Sequence, residues 1–191
     1  MDKPRMITID PGHGGVDSGA VNSNLNIYEK SINLAVALAM IESLPARFDY
    51  GITRSDDFYE PLKARVEMAN NWETDLFISL HANWYIDPKV RGLETYYYEG
   101  SEKGHKAAIA VMNELIKTVD VLNGTIDVID REEKPGAYYV LKNTKAPAIL
   151  VEIGFVSNDW QAEFMSNVEN QAAMSRAIWR GVKTYFAAID G

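Results

Sequence analysis

Short apolar runs alternate with segments of helical periodicity along most of this 191-residue chain. The predicted strands are residues 5–10, 48–53, 76–80, 93–98 and 148–153. The predicted helices are residues 28–44, 62–72, 104–119 and 160–186. Strands that alternate with helices across short connections are typical of α/β proteins, in which helices cover both faces of a mainly parallel, twisted sheet.

The chain carries no internal repeat, low-complexity tract or Pro/Gly/Ser-rich linker. Its apolar residues make up 47% of the sequence, which is enough to fill one sizeable core. We therefore predict one α/β domain over residues 1–191. The least regular part is residues 120–145, where we expect weak strand-like pieces and charged turns, including an acidic turn, DREEKPG, at 130–136.

Composition excludes several classes of function. The chain has 27 acidic and 19 basic residues, so nucleic acid is not an expected partner, because phosphate binding needs a basic surface. No apolar run approaches the ~20 residues of a membrane-spanning helix, and we expect no membrane insertion. The first ten residues lack the pattern of a signal peptide, and we expect none there. Because cysteine is absent, transition-metal ligands must be histidines or carboxylates.

Four residues far apart in the sequence suggest a hydrolytic zinc site. His13 follows the first predicted strand in IDPGHGG, His81 follows LFISL, and Glu152 lies in AILVEI. Ligands of open α/β sheets collect beyond the carboxyl ends of the strands, so these three side chains are predicted to converge. Glu29 would lie in the first turn of a helix. Catalytic zinc takes three His or Glu ligands and leaves a position for water, and a further carboxylate can accept the proton of that water.

Each of these residues also has an interpretation that needs no metal. Glutamate is favoured at a helix N-terminus by the macrodipole alone, which would explain Glu29. His81 is compatible with an uncharged histidine in the core. Glu152 is the most informative residue, since burying a carboxylate in an apolar strand is unfavourable without a cationic partner. The glycine-rich segment around His13 lacks the G-x-x-x-x-G-K-[ST] pattern, so we reject a nucleotide-binding loop.

Further residues are weaker candidates. His105 lies at the polar start of a predicted helix, which favours a solvated histidine over a three-histidine site with His13 and His81. Glu94 is interpreted either as a hydrogen-bond acceptor behind the site or as a cross-strand charge partner. Several aromatic residues are candidates either for stacking on sugar or peptide or for core packing: Trp84, Tyr85, Tyr96, Tyr97 and Tyr98.

Several sequence blocks occur together in one order. They are ITIDPGHGGVDSGA at 7–20, YEKSINL at 28–34, DLFISLHAN at 75–83, GLETYYY at 92–98 and PAILVEIGFVSN at 147–158. This series resembles the zinc-dependent N-acetylmuramoyl-L-alanine amidases of the Amidase_3 type, which cleave peptidoglycan between the lactyl group of muramic acid and L-alanine. The resemblance covers nearly the whole chain.

The resemblance implies a zinc ion held by His13, Glu29 and His81, with Glu152 as the catalytic acid/base. It also implies that the arginines in TRSDD at 53–57 and LKARVEMAN at 62–70 support the fold or the cleft rather than the metal. Arg131 resembles an arginine that members of this family place near the cleft.

Peptidoglycan is the expected partner, which implies action outside the bacterial membrane. The protein would be secreted, associated with the cell wall or periplasm, or released as a phage lysin, and we expect a monomer. Two alternatives remain open at this point. One is another zinc amidohydrolase or carboxypeptidase-like peptidase, and the other is a catalytically silent module that binds the cell wall.

Overall fold

The structure is a computed structural model that describes residues 3–123 and 129–190. Its strands are β1 (Arg5–Pro11), β2 (Val21–Asn22), β3 (Ile27–Tyr28), β4 (Phe48–Ile52), β5 (Leu76–Asn83), β6 (Leu93–Tyr97), β7 (Asp130–Pro135) and β8 (Ala148–Phe155). Its helices are α1 (Glu29–Glu42), α2 (Leu62–Asn71), α3 (Glu102–Asn123), α4 (Tyr139–Asn143), α5 (Asp159–Ser166) and α6 (Val168–Asp190).

The main sheet has six strands in the order β4-β1-β5-β8-β6-β7. The first four strands are parallel, which confirms the predicted mainly parallel α/β sheet. Strand β6 runs antiparallel to β8, and β7 is parallel to β6. The reversal has a simple cause: no helix lies between β5 and β6, and a parallel return needs a crossover of a dozen or more residues, usually helical.

Helices cover the two faces of this sheet unequally. The larger core cluster packs α1, α3 and α6 against side chains such as Ile9, Ile78 and Val151. On the other face, α2 and α4 cover a smaller cluster that includes Phe77 and Leu150. Across the described part of the chain, no helix has the length and apolar character needed to cross a membrane.

The segment DREEKPG corrects a prediction. We expected an acidic turn at 130–136, but residues 130–135 form the edge strand β7. Glu132 has a positive φ of 68°, and the register with β6 shifts between Leu93 and Thr95, so the strand contains an irregularity of the β-bulge type. Charged side chains suit an exposed edge strand, and they conceal the apolar pattern on which sequence prediction depends. Residues 124–128, which belong to the same irregular part of the sequence, lie outside the described residues.

A buried polar network lies beneath the loop that follows β1. Arg65 donates from one nitrogen to Asp10 Oδ1 at 2.7 Å and from another to the carbonyl oxygen of His13 at 2.8 Å. Arg54 donates to the carbonyl oxygens of Pro11 and Gly12, both at 2.9 Å. Both guanidinium groups are buried. The two arginines therefore hold the backbone at 11–13, as expected for residues that support the fold rather than a metal.

Removing one member of this network should destabilise the protein strongly. Arg65→Met keeps an apolar stem but leaves Asp10 buried without its cation, and breaking a buried ion pair in this way costs about 3–5 kcal/mol of unfolding free energy. Urea denaturation measures the loss. The control is Arg176→Met on the exposed side of α6, where we expect a change within about 0.5 kcal/mol. Equal losses for the two variants would contradict the assigned role of Arg65.

Candidate active site

Three of the four predicted site residues meet at the carboxyl end of the sheet. His13 lies on the loop just after β1, Glu29 is the first residue of α1, and His81 lies near the end of β5. One potential ligand atom from each side chain lies within 4.8 Å of the other two. The arrangement brings together residues that 68 positions of sequence separate.

The carboxylate of Glu29 lies between the two imidazole rings. Its Oε1 atom is 3.2 Å from His13 Nε2 and 2.9 Å from His81 Nδ1. The backbone N–H of Ala20 donates to Oε2 at 2.8 Å, and that of Ala82 donates to Oε1 at 3.1 Å. Backbone donors from the loop before β2 and from β5 therefore fix the orientation of the carboxylate. Glu29 is also the first residue of α1, where the helix macrodipole favours an acidic side chain.

His13 is oriented by a residue that the sequence analysis missed. Its Nδ1 atom is 2.9 Å from Asp17 Oδ2, which leaves Nε2 directed toward Glu29. A carboxylate on the outer nitrogen is the usual partner of a metal-bound histidine. The signal was present in the sequence as an acidic residue four positions after His13, on the same glycine-rich loop.

Two glycines make room for this cluster. A Cβ at Gly12 would lie 2.2 Å from His81 Cε1, far closer than van der Waals contact allows. Gly19 has a φ of +63°, and a Cβ there would lie 2.6 Å from Glu29 Oε2. His13 itself has a left-handed φ of 61°, which is uncommon outside glycine. The glycine-rich sequence thus serves close approach around the histidines rather than phosphate binding.

The electrostatics of the cluster favour an ionised carboxylate. Burial acts to raise the pKa of Glu29, but hydrogen bonds and charge from His13 and His81 outweigh burial and hold that pKa well below its usual range. Two imidazoles around one ionised carboxylate form a donor set typical of catalytic zinc. The described residues could therefore hold a transition-metal ion at this point.

Glu152 lies beside the cluster, and its pKa is shifted in the opposite direction from that of Glu29. In the sheet register it is paired with His81 on β5 and with Glu94 on β6, so the three side chains share one face. Glu152 is buried, and within the described structure its Oε2 atom has no hydrogen-bond partner. Burial raises its pKa well above the usual value, and the charges of Glu29 and Glu94 raise it further. A raised pKa of this kind favours the protonated form of the carboxyl group and is common at functional sites.

Glu94 is a buried acceptor of several hydrogen bonds. It accepts from the Tyr96 hydroxyl at 2.6 Å, from Lys134 Nζ at 3.2 Å and from Arg131 Nε. Burial acts to raise its pKa, but these hydrogen bonds lower it overall. Glu94 is therefore both a hydrogen-bond acceptor beside the site and a cross-strand charge partner of β7. Sequence reasoning missed Lys134, because it lies in the segment interpreted as a turn.

Several other candidates are not part of the cluster. His105 stacks on Tyr97 with ring centroids 4.3 Å apart, and its Nε2 is 3.5 Å from Glu133. The hydroxyl of Tyr96 donates a hydrogen bond to Glu94, whereas Trp84 and Tyr85 are about half exposed. A cavity of about 1030 Å³ lies at the opposite, amino-terminal end of the strands, among residues that include Arg5, Arg47 and Asp75. That cavity contains none of the predicted site residues.

Comparison with known proteins gives a consistent result. The profile of the family Amidase_3, described as N-acetylmuramoyl-L-alanine amidase, matches residues 7–184. The uncharacterized protein YqiI of Bacillus subtilis is 33% identical over 186 residues, covering 95% of this chain and 85% of that protein. The N-acetylmuramoyl-L-alanine amidase LytC of the same organism is 34% identical over 181 residues, covering 94% of this chain but 35% of LytC.

Solved structures of N-acetylmuramoyl-L-alanine amidases have the same fold as this chain. An N-acetylmuramoyl-L-alanine amidase from Clostridium difficile 630 superposes with a TM-score of 0.90 at 30% identity, covering 97% of this chain and 98% of that one. The amidase AmiC2 of Nostoc punctiforme gives a TM-score of 0.87 at 32% identity, covering 96% and 97%. The family predicted from the sequence blocks is confirmed. Because its profile covers nearly the whole sequence, this chain belongs to the Amidase_3 family of N-acetylmuramoyl-L-alanine amidases, hydrolases that act on peptidoglycan.

Proposed function

We propose that this chain is a zinc-dependent amidase in which His13, Glu29 and His81 hold the metal and Glu152 is the catalytic acid/base. The bond cleaved is the amide between the lactyl group of muramic acid and L-alanine. The observation that carries the proposal is the pairing of a three-ligand cluster with a buried carboxylate on the strand next to His81, one oxygen of which has no hydrogen-bond partner among the described residues.

The donor set fits zinc. Two imidazole nitrogens and one carboxylate oxygen are common ligands of catalytic zinc, and the glycines at 12 and 19 leave the space that the imidazoles and carboxylate need. When bound, zinc would act as a Lewis acid that lowers the pKa of a water molecule toward ~7 and polarises the scissile carbonyl. Asp17 and the backbone at Ala20 and Ala82 keep the ligand side chains oriented.

Glu152 would perform the proton transfers. As a carboxylate it would accept a proton from the attacking water while the new C–O bond forms at the amide carbon. As a carboxylic acid it would then donate that proton to the amide nitrogen, so that the C–N bond breaks and L-alanine leaves as an amine. A raised pKa suits a group that must hold the proton between the two steps. Acid/base assistance of this kind is typically worth about 10² to 10⁴ in rate.

The alternatives have less support. A silent cell-wall-binding module would be expected to lack a ligand or the acid/base, yet all four residues are present and together. A carboxypeptidase-like enzyme needs a basic group for the terminal carboxylate of its substrate. Two basic residues of β7, Arg131 and Lys134, lie beside Glu94, the cross-strand neighbour of Glu152, and both are engaged with Glu94. Family membership also favours the amidase.

We further propose that residues 1–191 act as one catalytic domain and as a monomer, outside the bacterial membrane where peptidoglycan lies. Both a secreted or periplasmic cell-wall enzyme and a phage lysin released at lysis fit that location. The net charge of −8 gives no attraction to an anionic wall. Affinity must therefore come from contacts in the cleft or from a domain outside this chain.

Glu152→Gln should separate metal binding from catalysis. The variant keeps the size of the side chain and all three proposed ligands, so we expect one zinc ion per chain but about 10² to 10⁴ less amidase activity. Mass spectrometry of digested peptidoglycan would count new L-alanine amines, and atomic absorption would count zinc. Glu163→Gln, on the exposed side of α5, is the matched control and should retain activity. His81→Ala should lose both metal and activity. Full activity of Glu152→Gln would refute the assignment.

The same substitution should stabilise the metal-free protein at neutral pH. Because burial raises the pKa of Glu152 in the folded state, the folded protein binds more protons than the unfolded chain between the two pKa values. Stability therefore falls as pH rises above the ordinary carboxyl range. Glu152→Gln lacks this loss, and we expect a gain of about 0.5–2 kcal/mol at pH 7 that shrinks toward zero below pH ~4. Denaturation at both pH values measures it, and a pH-independent difference would contradict the explanation.

A further inference from the structure

A second concave surface lies next to the proposed zinc site. It is a groove of about 270 Å³ beyond the carboxyl ends of β5 and β8. The loop after β5 forms one wall, with Trp84, Tyr85 and Ile86 exposed by 49%, 52% and 76%. The turn after β2, with the exposed polar residues Ser23 and Asn24, forms another. Three consecutive large side chains left this open indicate a binding surface rather than core packing.

Hydrogen bonds hold the walls of this groove in place. The backbone N–H of Tyr85 donates to Ser157 Oγ at 3.0 Å, which joins the loop after β5 to the turn after β8. The buried Asn22 side chain donates to the carbonyl oxygen of Val156 at 2.9 Å and to Asp159 Oδ1 at 2.7 Å. The groove is therefore formed before any ligand binds, which lowers the entropic cost of binding.

Two segments that line the groove lie close in the chain to residues of the proposed zinc site. Strand β2 begins one residue after Ala20, whose N–H donates to Glu29. Trp84 is only three residues beyond His81, so the two Cα atoms lie within about 10 Å of each other. A long substrate held at the zinc site and directed past the end of β5 would therefore come within reach of the groove.

The charge of the groove suits one half of the substrate better than the other. The described lining residues include one carboxylate, Asp159, which already accepts from Asn22, and no lysine or arginine. The basic residues Arg131 and Lys134 lie instead around Glu94, which shares the face covered by α2 and α4. An N-acetylmuramoyl-L-alanine substrate joins an N-acetylated sugar to a peptide that ends in a carboxylate. A neutral aromatic groove suits the sugar half and offers nothing to the carboxylate.

We propose that this groove is a saccharide subsite that binds N-acetylated sugar rings of the glycan strand. The proposal rests on the proposed amidase function and extends it to substrate orientation. Trp84 would stack on the apolar face of a sugar ring, and Ser23 and Asn24 would form hydrogen bonds with hydroxyl or acetamido groups. An aromatic wall with a few polar side chains at fixed positions is typical of ligand pockets, and it would suit a sugar ring.

Two soluble substrates would test this subsite. Both carry the same L-alanyl peptide, one on a single N-acetylmuramic acid and the other within a chain of four N-acetylated sugars. With the zinc-loaded full chain, we expect kcat/KM to be about tenfold higher for the longer substrate, as one good stacking contact would give. Trp84→Ala and Trp84→Leu should bring this ratio close to one, while Trp84→Tyr should retain most of it.

Controls separate the possible failures. Tyr50→Ala, an exposed aromatic on the edge strand β4, should leave the ratio unchanged. If Trp84 only ordered its loop, Trp84→Ala would lower both rates equally and keep the ratio, and this result would overturn the subsite. If the wild type cleaved neither substrate, the proposed amidase function would fail instead. As an independent test, a peptide-free tetramer of N-acetylglucosamine should shift the Trp84 indole N–H signal in NMR, and an unchanged signal would also overturn the subsite.

Discussion

The register of β1, β5 and β8 is the constraint on which the rest of this structure depends. Parallel pairing aligns Asp10 with Ser79 and His81 with Glu152, so that polar side chains meet at one end of a sheet that is otherwise apolar. A slip of one residue between β5 and β8 would move Glu152 to the face packed by α1 and α6. The apolar residues that alternate with these polar ones, such as Ile78 and Val151, prevent that slip because they fill the larger core.

Polar groups buried at this end divide into two kinds. Asp10 is fully satisfied: it accepts from Arg65, Thr53 and Ser79, and its network fixes the backbone that carries His13. In the part of the chain that the structure describes, one oxygen of Glu152 has no hydrogen-bond partner, and the charged neighbours of this residue include two carboxylates. The first arrangement stabilises the fold, whereas the second destabilises it and supplies a carboxyl group with a raised pKa. Unsatisfied buried groups of this kind are expected at functional sites.

Sequence reasoning predicted the parts of this molecule that apolar pattern and strand-end geometry control. The runs RMITID, LFISL and AILVEI are strongly apolar. The site residues at or just beyond their carboxyl ends, His13, His81 and Glu152, converge as the rule for open α/β sheets requires. Strand β7 could not be predicted in this way, because its charged residues become a strand only through pairing with β6. Lys134 was missed for the same reason, because it lies on this strand. Asp17 was missed although it stands four positions after His13, because the sequence does not show that it contacts the imidazole.

The central claim is that two imidazoles and Glu29 bind zinc while Glu152 stays free as the acid/base. A crystal structure of the zinc-loaded protein, with anomalous diffraction measured at the zinc absorption edge, tests it most directly. The account predicts one anomalous peak at about 2.0–2.2 Å from His13 Nε2, His81 Nδ1 and a Glu29 oxygen, with no protein ligand from Glu152. A peak bonded to Glu152, or one away from these three residues, would contradict it.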